Sequence, residues 1–582
     1  MAESTKISRK RLLGGLLAAA TGTAIIKENV MAETTSPVAA DGVKEIESGI
    51  ELEIGAVEAA GITLEDLAAF EKVAAFALTN EQRKEILIEV NNSSRGFANL
   101  RKIAIPYTIE PPTIFTPIAK PEKGVHRIQA KVSPVKISRK SLSEEDIAFL
   151  SVRELSSLIK SRQISPVELT HIFLDRLKKY GDKLLCLVTL TESLALKQAV
   201  LAEKEIAAGH YRGPLHGIPY GLKDLFVTKG IPTTWGAEPY KNQVFDYDAT
   251  IVKKLEDAGA ILVAKLSMGS LAQGDVWFKG TTKNPWNLEQ GSSGSSAGPG
   301  SATAAGLVGF SIGTETLGSI ASPSVRCRVT GLRPTYGRVS RYGAMGLSYT
   351  MDKIGPMCRE VEDCALVFSA ICGVDPNDAT IQSARFQWRP KVDWTKLKIG
   401  YLVNDVKNAK NAEEMKSDPI LSHFHSLGAQ VRAVHFTPLP PELYLILGVE
   451  AASAFDDFTL SDQIEHLKDS EWPSSFRVNR HIPAVEYLRA QRVRVQVMRR
   501  FEEEFGDLDL FAAFGEGQSS LSLTNFTGHP QVIIPTGADD KNHSLGRSFI
   551  GRPFKEDLLL AVAREAQETM DFHRRRPDLS KL

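Results

Sequence analysis

Hydrophobic residues near the amino end of the chain recur at helical spacing in two successive stretches. Thr63 with Asp66, and Thr79 with Gln82, stand where each helix would begin, because a threonine and an acidic or amide residue three positions later cap each other's backbone. The apolar positions are Leu64, Leu67, Phe70, Val73 and Phe76, followed by Ile86, Val90, Phe97 and Leu100. The pattern predicts two amphipathic helices whose stripe packs against each other, against the rest of the chain, or against a second copy as a homodimer.

From about residue 141 onward, helical patterns alternate with short apolar runs of strand length. Ser165-Pro166-Val167-Glu168 combines a capping serine, a proline in the first turn and a glutamate three residues after the cap, which indicates a helix start. The runs 184–190 and 259–264 have the composition and length of buried strands. This alternation predicts an α/β fold in which helices cover both faces of a sheet.

Prolines separate these two parts of the chain. They are Pro106, Pro111, Pro112, Pro117, Pro121 and Pro134. Proline fixes φ and lacks an amide donor, so this density indicates an extended connection rather than a helix. We therefore expect a helical accessory segment at 33–105, a proline-containing linker at 106–140 and a main domain at 141–582.

The first residues have the order of an export signal. Basic residues at positions 6–11 precede an apolar stretch at 12–26, and Val30-Met31-Ala32 supplies small residues for cleavage. The basic part resembles a twin-arginine signal, with Arg-Lys where Arg-Arg is usual. We predict a Tat-like signal peptide at 1–32 and an exported, periplasmic or extracellular protein, which would be cytoplasmic if the signal does not function. No later stretch has the apolar length of a membrane span.

The overall charge and the cysteines exclude several classes of function. The chain has 70 lysine plus arginine residues and 70 aspartate plus glutamate residues, so its formal net charge is zero. Without a basic field to bind phosphates, a nucleic-acid partner is not expected, and a small-molecule substrate fits better. Five cysteines without a C-x-x-C pair indicate neither a disulfide framework nor a zinc site, so we expect no bound metal.

Three segments contain residue types that could carry chemistry. Residues 291–302 are rich in glycine and serine but continue into a small apolar stretch, whereas a flexible surface linker, the alternative, would normally stay polar. Ser319 follows a glycine in a turn whose backbone amides could stabilise an oxyanion, although an ordinary turn has the same composition. Lys223 lies among apolar residues, where burial would lower its pKa and make it a general base. The alternative is a lysine that packs its stem and exposes its amine.

Taken together, these segments resemble the amidase signature family over about residues 145–575. The matching segments are 217–224, 284–287, 294–300, 331–340, 352–356, 526–530 and 572–575. The resemblance implies that Ser319 is the nucleophile, that Ser295 is a cis-peptide relay serine and that Lys223 is the base. In the family the relay serine precedes the nucleophile by 24 positions, which selects Ser295 rather than the similar pair Ser292 and Ser293.

The resemblance also implies the fold and the rest of the site. It predicts a large mixed twisted sheet between helical layers, a small-molecule amide substrate and neither a metal nor an organic cofactor. Backbone amides of Thr316, Leu317, Gly318 and Ser319 would form the oxyanion hole. Three positions depart from the family pattern: Leu317 replaces a glycine, Ala321 replaces an arginine, and Arg328 replaces a glycine.

Alternative functions are compatible with parts of this pattern. Residues 294–298 also fit the G-x-S-x-G nucleophile elbow with Ser296 as nucleophile, but that motif needs a preceding strand, and residues 284–294 have turn-like composition. A subunit that transamidates aminoacyl-tRNA would use the same fold and triad, whereas the export signal and balanced charge favour a hydrolase. An exported, inactive homologue that only binds its ligand is the third alternative, suggested by Leu317 and Ala321.

Overall fold

The computed structural model describes residues 61–103, 105, 128–403, 418–467 and 470–582. The predicted signal peptide, residues 1–32, lies outside these residues, as do the first part of the accessory segment and most of the linker. None of the described helices combines the length and hydrophobicity that crossing a membrane requires.

A large mixed sheet forms the centre of the described residues. The strands are β1 Ile128–Ala130, β2 Leu187–Leu190, β3 Pro219–Lys223, β4 Ile261–Leu266, β5 Val276–Trp277, β6 Gly280–Thr281, β7 Lys283–Asn284, β8 Asn287–Gly291, β9 Phe310–Glu315, β10 Thr330–Arg333, β11 Lys353–Cys358, β12 Phe386–Trp388, β13 Lys398–Leu402, β14 Gln430–Val434, β15 Leu510–Phe514, β16 Gln531–Ala538 and β17 Ser544–Gly551. Eleven of them form one sheet in the order β14-β13-β15-β17-β16-β10-β11-β9-β3-β4-β2.

The sheet contains both parallel and antiparallel pairs. Strand β3 lies between β9 and β4 and is parallel to both, whereas β11 is antiparallel to β9 on its other side. All residues of β3, β4 and β11 are buried, as expected for strands covered on both faces. The predicted α/β fold with a large mixed sheet is confirmed.

Helices cover the sheet, and sequence signals set where several of them begin. They are α1 Leu64–Val73, α2 Asn80–Arg101, α3 Glu144–Ala148, α4 Val152–Lys160, α5 Pro166–Tyr180, α6 Glu192–Ala207, α7 Thr250–Asp257, α8 Ala297–Ala304, α9 Ala321–Arg326, α10 Val361–Ile371, α11 Pro419–Ser426, α12 Leu445–Ala454, α13 Asp456–Thr459, α14 Trp472–Asn479, α15 Ala484–Phe505, α16 Ser520–Thr527 and α17 Glu556–Met570. The predicted capping boxes of α1 and α2 and the Ser165 cap of α5 are all present.

The accessory helices pack against each other and against the main body of the chain. Leu67, Ile86 and Val90 form a small apolar cluster with Val478 of α14. At the end of α2, Leu100 joins a larger core that includes residues of α12 and α15. Two of the predicted arrangements of the apolar stripe are therefore present together: the helices pack against each other and against the rest of the same chain.

The predicted apolar stripe is wrong at its centre, and a buried acid replaces it. Val73, in the last turn of α1, is 88% exposed. Glu71 is buried instead, accepting hydrogen bonds from the Leu78 amide at 2.9 Å and from the guanidinium of Arg83. This carboxylate fixes the turn between the two helices, which a hydrophobic pattern could not indicate.

The linker ends on the main body. Strand β1 pairs in parallel with β12, and the Ser133 amide donates to the Glu362 carboxylate of α10 at 2.6 Å. The last residues of the predicted linker are thus held by the domain that follows them. The predicted division at residue 140 remains a prediction.

Two isoleucines on α2 provide a matched test of this docking. Ile86 is fully buried, whereas Ile88 is 70% exposed. We predict that Ile86→Ala lowers the free energy of unfolding by about 2–5 kcal/mol through the cavity it leaves. Ile88→Ala should change it by less than about 0.5 kcal/mol. Denaturant unfolding of the full chain measures both, and equal effects would mean that α2 is not docked as described.

Candidate functional site

Lys223 and the turn that carries Ser319 lie at the same edge of the sheet. Lys223 is the last residue of β3, and Ser319 follows β9 by four residues. Because β3 and β9 are adjacent and parallel, their carboxyl ends meet at one edge. Gly221 lies close to β4, since a Cβ there would come 2.3 Å from the Leu266 side chain and force it to move.

The amine of Lys223 is buried and surrounded by hydroxyl groups. Its Nζ lies 2.8 Å from Ser295 Oγ, 3.1 Å from Ser296 Oγ and 2.8 Å from Thr314 Oγ1. Within the part of the chain that the structure describes, no carboxylate lies within ion-pair distance of this amine. Burial lowers the pKa of Lys223 to about 7, although the more distant charges of Asp352 and Glu315 act in the opposite direction. The amine is therefore poised to exchange a proton near neutral pH.

The glycine- and serine-rich segment is part of the core, not a surface loop. Every residue of α8 is buried, and Gly298 lies against the backbone of Ser267, where a Cβ would come within 2.5 Å of the amide nitrogen. The small residues are thus needed because this helix packs directly on neighbouring backbone. The flexible-linker interpretation is wrong.

Ser295 and Ser296 differ in their hydrogen bonds. The Gly294-Ser295 peptide bond is cis, at the position where the resemblance places the cis serine. Ser296 Oγ donates to the Thr314 carbonyl at 3.0 Å and accepts from the Thr314 amide at 3.1 Å. Ser296 uses its only proton in this bond to β9 and cannot donate it to the nearby lysine amine, whereas the Ser295 hydroxyl contacts Lys223 and no backbone carbonyl among the described residues.

The expectation that residues 284–294 lack a strand is wrong. Strand β8 occupies Asn287–Gly291, and it pairs with β7 in a two-stranded hairpin. Side-chain patterning did not indicate it, since β8 is only partly buried and has no apolar alternation. This hairpin is separate from the central sheet, so it is not the sheet strand that a nucleophile elbow requires.

The turn that carries Ser319 is fixed by a buried acid that the sequence reasoning did not identify as functional. Glu315 Oε2 accepts from the Ile320 and Ala321 amides, both at 2.9 Å, and so closes the turn from β9 into α9. Its Oε1 accepts from Arg333 at 2.7 Å. Burial alone would raise the pKa of Glu315, but the positive charges of Arg333 and Lys353 outweigh it and lower the pKa to about 2. The signal that could have located it is its place as the last residue of a buried strand.

The relay segment contacts the nucleophile turn directly. The Ser296 amide donates to the Ser319 carbonyl at 3.1 Å, so the residue after Ser295 touches Ser319 itself. Lys223, Ser295 and Ser319 are therefore brought together from three separate segments. Ser319 is half-buried, while Lys223 and Ser295 are inaccessible to solvent.

Backbone amides next to Ser319 are available to a ligand. Gly318 has a φ of +94°, which a glycine adopts readily. Among the described residues, the amides of Leu317, Gly318 and Ser319 have no hydrogen-bond acceptor. Leu317 packs its side chain on an apolar cluster around α15, so the replacement of the usual glycine fills space away from these amides. Unsatisfied amides at a turn are suited to stabilise a developing oxyanion.

The first residue of the turn is held from the opposite side by β11. Thr316 Oγ1 donates to Asp352 at 2.6 Å, and Asp352 in turn accepts from the Leu347 and Ser348 amides. The Lys353 amine lies 3.4 Å from the Thr316 carbonyl, and burial lowers its pKa well below the ordinary value.

The departure at Arg328 has a structural explanation. Its φ of +56° explains why a glycine is usual there. The side chain donates to Ser544 and to Asn542 and lies over the Trp286 ring at 4.6 Å. These contacts join the 284–287 segment to the start of β17 and the residues before it. In the described residues, no group of histidine, cysteine and acidic side chains is arranged to hold a metal ion.

Comparisons with known proteins agree with this architecture. A family model described as Amidase matches residues 168–513. The glutamyl-tRNA(Gln) amidotransferase A subunit from Carboxydothermus hydrogenoformans is 32% identical over 489 residues, which is 75% of this chain and 100% of that protein. The corresponding protein from Moorella thermoacetica, of the same name, is 32% identical over 484 residues, with 75% and 99% covered.

Solved structures of amidases have the same fold. An amidase family protein from Bacillus anthracis superimposes with a TM-score of 0.66 at 26% identity, covering 75% of this chain and 94% of that one. Native peptide amidase from Stenotrophomonas maltophilia gives a TM-score of 0.65 at 25% identity, with 74% and 98% covered. A quarter of the present chain therefore lies outside what these proteins share.

Proposed function

The chain belongs to the amidase signature family and is an amide-hydrolysing enzyme, and from this membership we propose that it cleaves a carboxamide through an acyl-enzyme on Ser319. The products are a carboxylate and ammonia or an amine. The observation that carries the proposal is the 2.8 Å contact between the buried Lys223 amine and Ser295 Oγ. The proposal is supported by a desolvated amine in contact with the Ser295 hydroxyl and by the direct contact of the next residue with Ser319, since a nucleophilic serine needs a base within reach.

Proton transfer begins at Lys223. In its neutral form the amine has one lone pair, which accepts the Ser295 proton while its own hydrogens face the Thr314 and Ser296 oxygens. Ser295 then accepts the proton of Ser319, whose Oγ attacks the substrate carbonyl. The proton therefore moves from the nucleophile to the lysine without any charged carboxylate in the path.

The amides of the Ser319 turn stabilise the tetrahedral intermediate. The oxyanion forms beside Leu317, Gly318 and Ser319, and the Glu315 carboxylate keeps the turn in place by holding the two amides that follow it. When the C–N bond breaks, the leaving nitrogen takes its proton back through Ser295. Water then attacks the acyl-enzyme by the same relay, which releases the carboxylate and restores Ser319.

A second candidate is transamidation of an aminoacyl-tRNA. It is favoured by the two curated relatives, whose names assign them to a glutamyl-tRNA(Gln) amidotransferase. The balanced charge and the signal-like amino end favour the hydrolase, which we propose is exported. Incubation with small amides alone should release ammonia. Release that occurs only with glutamine, glutamyl-tRNA and further protein components would instead establish the second candidate.

Three serine variants test the assignment of the nucleophile and relay. We predict that Ser319→Ala gives neither the phosphonyl adduct of an active-site phosphonate nor the acyl-enzyme of a slow amide in mass spectrometry. Ser295→Ala should lower turnover by about 10²–10⁴-fold, the range for removing a proton-transfer group. Ser296→Ala should cost less than Ser295→Ala, because its hydroxyl bonds to the β9 backbone. The reverse order for Ser295 and Ser296 would show that the relay is misassigned, and an unlabelled wild-type Ser319 would favour the ligand-binding homologue.

The pH dependence of acylation tests the base. Below its pKa of about 7, Lys223 is an ammonium ion and cannot accept a proton. The acylation rate should therefore rise with pH and level off above about pH 7. Stopped-flow measurement of single turnovers reports the acylation rate. The Lys223→Ala variant should lose nearly all acylation activity. A rate independent of pH from 5 to 9 contradicts a lysine base.

A further inference from the structure

A second carboxylate lies next to the nucleophile turn, on an element that takes no part in the relay. Glu516 follows β15 in a tight turn between Gly515 and Gly517, both with positive φ values. The turn is rigid, because Gln531 donates to the Glu516 carbonyl at 2.9 Å and Ser548 donates to the Gly515 carbonyl at 2.6 Å. The position of the Glu516 side chain is thus set by the sheet.

The Glu516 carboxylate reaches the helix that begins beside Ser319. Ser322 Oγ donates to Glu516 Oε2, and the Ser322 amide donates to the Gly318 carbonyl at 2.8 Å. Ser322 is therefore one helical turn from the Gly318-Ser319 pair. A Cβ placed on Gly318 would lie 3.3 Å from Leu521 and 3.5 Å from Ser322 Oγ, so these side chains border the nucleophile turn on the side of β15 and α16.

Glu516 differs from the buried acids around it in having no positive partner. Glu315 pairs with Arg333, and Asp224 pairs with Lys265. No basic group in the described residues lies within ion-pair distance of Glu516. Burial raises its pKa, the negative charge of Glu315 raises it further, and Arg326 opposes this only partly. A half-buried carboxylate without a positively charged partner is costly, and a cation bound beside it would lower that cost.

Resting on the proposed hydrolysis at Ser319, we propose that Glu516 is a specificity residue that selects amides bearing a cationic group, a protonated amine, close to the scissile bond. The carboxylate and Ser322 Oγ together provide one charged and one neutral acceptor for an ammonium group. The half-buried setting makes such a contact stronger than it would be in water. A neutral substrate leaves the carboxylate without a positively charged partner, so it should bind less tightly than its charged counterpart.

The test uses amides that differ in charge but not in shape. Glycinamide is compared with propionamide, and β-alaninamide with butanamide, at pH 7, where both amino amides are mainly protonated. We expect the wild-type enzyme to favour a charged member over its neutral partner in kcat/KM by about tenfold or more, the size of a hydrogen bond to a charged group. In Glu516→Gln this ratio should fall towards one, mainly through KM, with neutral amides almost unaffected. Glu503→Gln, on the exposed face of α15, is the control and should leave the ratio unchanged.

Protection of Ser319 from phosphonate labelling gives a second readout that needs no turnover. Charged amides should protect the wild-type enzyme at lower concentrations than their neutral partners, and Glu516→Gln should remove the difference. Equal protection by charged and neutral amides, no protection by any of them, or a preference that survives Glu516→Gln would overturn the proposal. If one of these results is found and Ser319 is still labelled, only the specificity proposal fails and the proposed hydrolysis stands. If Ser319 is not labelled at all, the proposed hydrolysis itself is contradicted.

Discussion

The burial of the Lys223 amine is the constraint on which the rest of the site depends. A lysine at the end of a central strand is held away from water by β4, β9 and α8, and hydroxyl groups are its only close partners among the described residues. Lys265, on the neighbouring strand, is equally buried but forms an ion pair with Asp224 at 2.9 Å. The carboxylate stabilises the ammonium of Lys265, while hydroxyl groups leave Lys223 free to lose its proton.

The same burial dictates the composition of the segments around the lysine. Helix α8, which follows Ser295, packs directly on the backbone of Ser267. Position 298 must therefore be glycine, because a Cβ there would collide with Ser267. The nucleophile turn must stay still while charge develops on the substrate. The Glu315–Arg333 pair supplies this rigidity, because one oxygen of the carboxylate holds two amides of the turn and the other is held by the guanidinium. The proposed reaction thus uses hydroxyl and amide groups, while the charged Glu315–Arg333 pair holds the turn in position.

The sequence predicted much of this structure, and its errors have a common physical origin. Helix starts at Thr63, Thr79 and Ser165 were correct, because a cap is a contact within four residues. Val73 was wrongly placed in the buried stripe, and β8 was missed. Whether Val73 is buried and how β8 pairs both depend on which distant part of the chain packs against them. A periodic pattern of apolar residues does not contain that information. The buried role of Glu71 was missed for the same reason.

The sequence by itself determined the alternation of helices and strands, the capped helix starts and the ordered motifs that contain Lys223, Ser295 and Ser319. These depend on local backbone preferences and on residue types that a given chemistry requires. Only the tertiary structure decided that Ser296 donates its hydroxyl proton to the β9 backbone, that Glu315 closes the nucleophile turn and that Glu516 reaches Ser322. Each of these contacts joins segments far apart in the chain, so its geometry is set by the register of the central sheet and not by any local pattern.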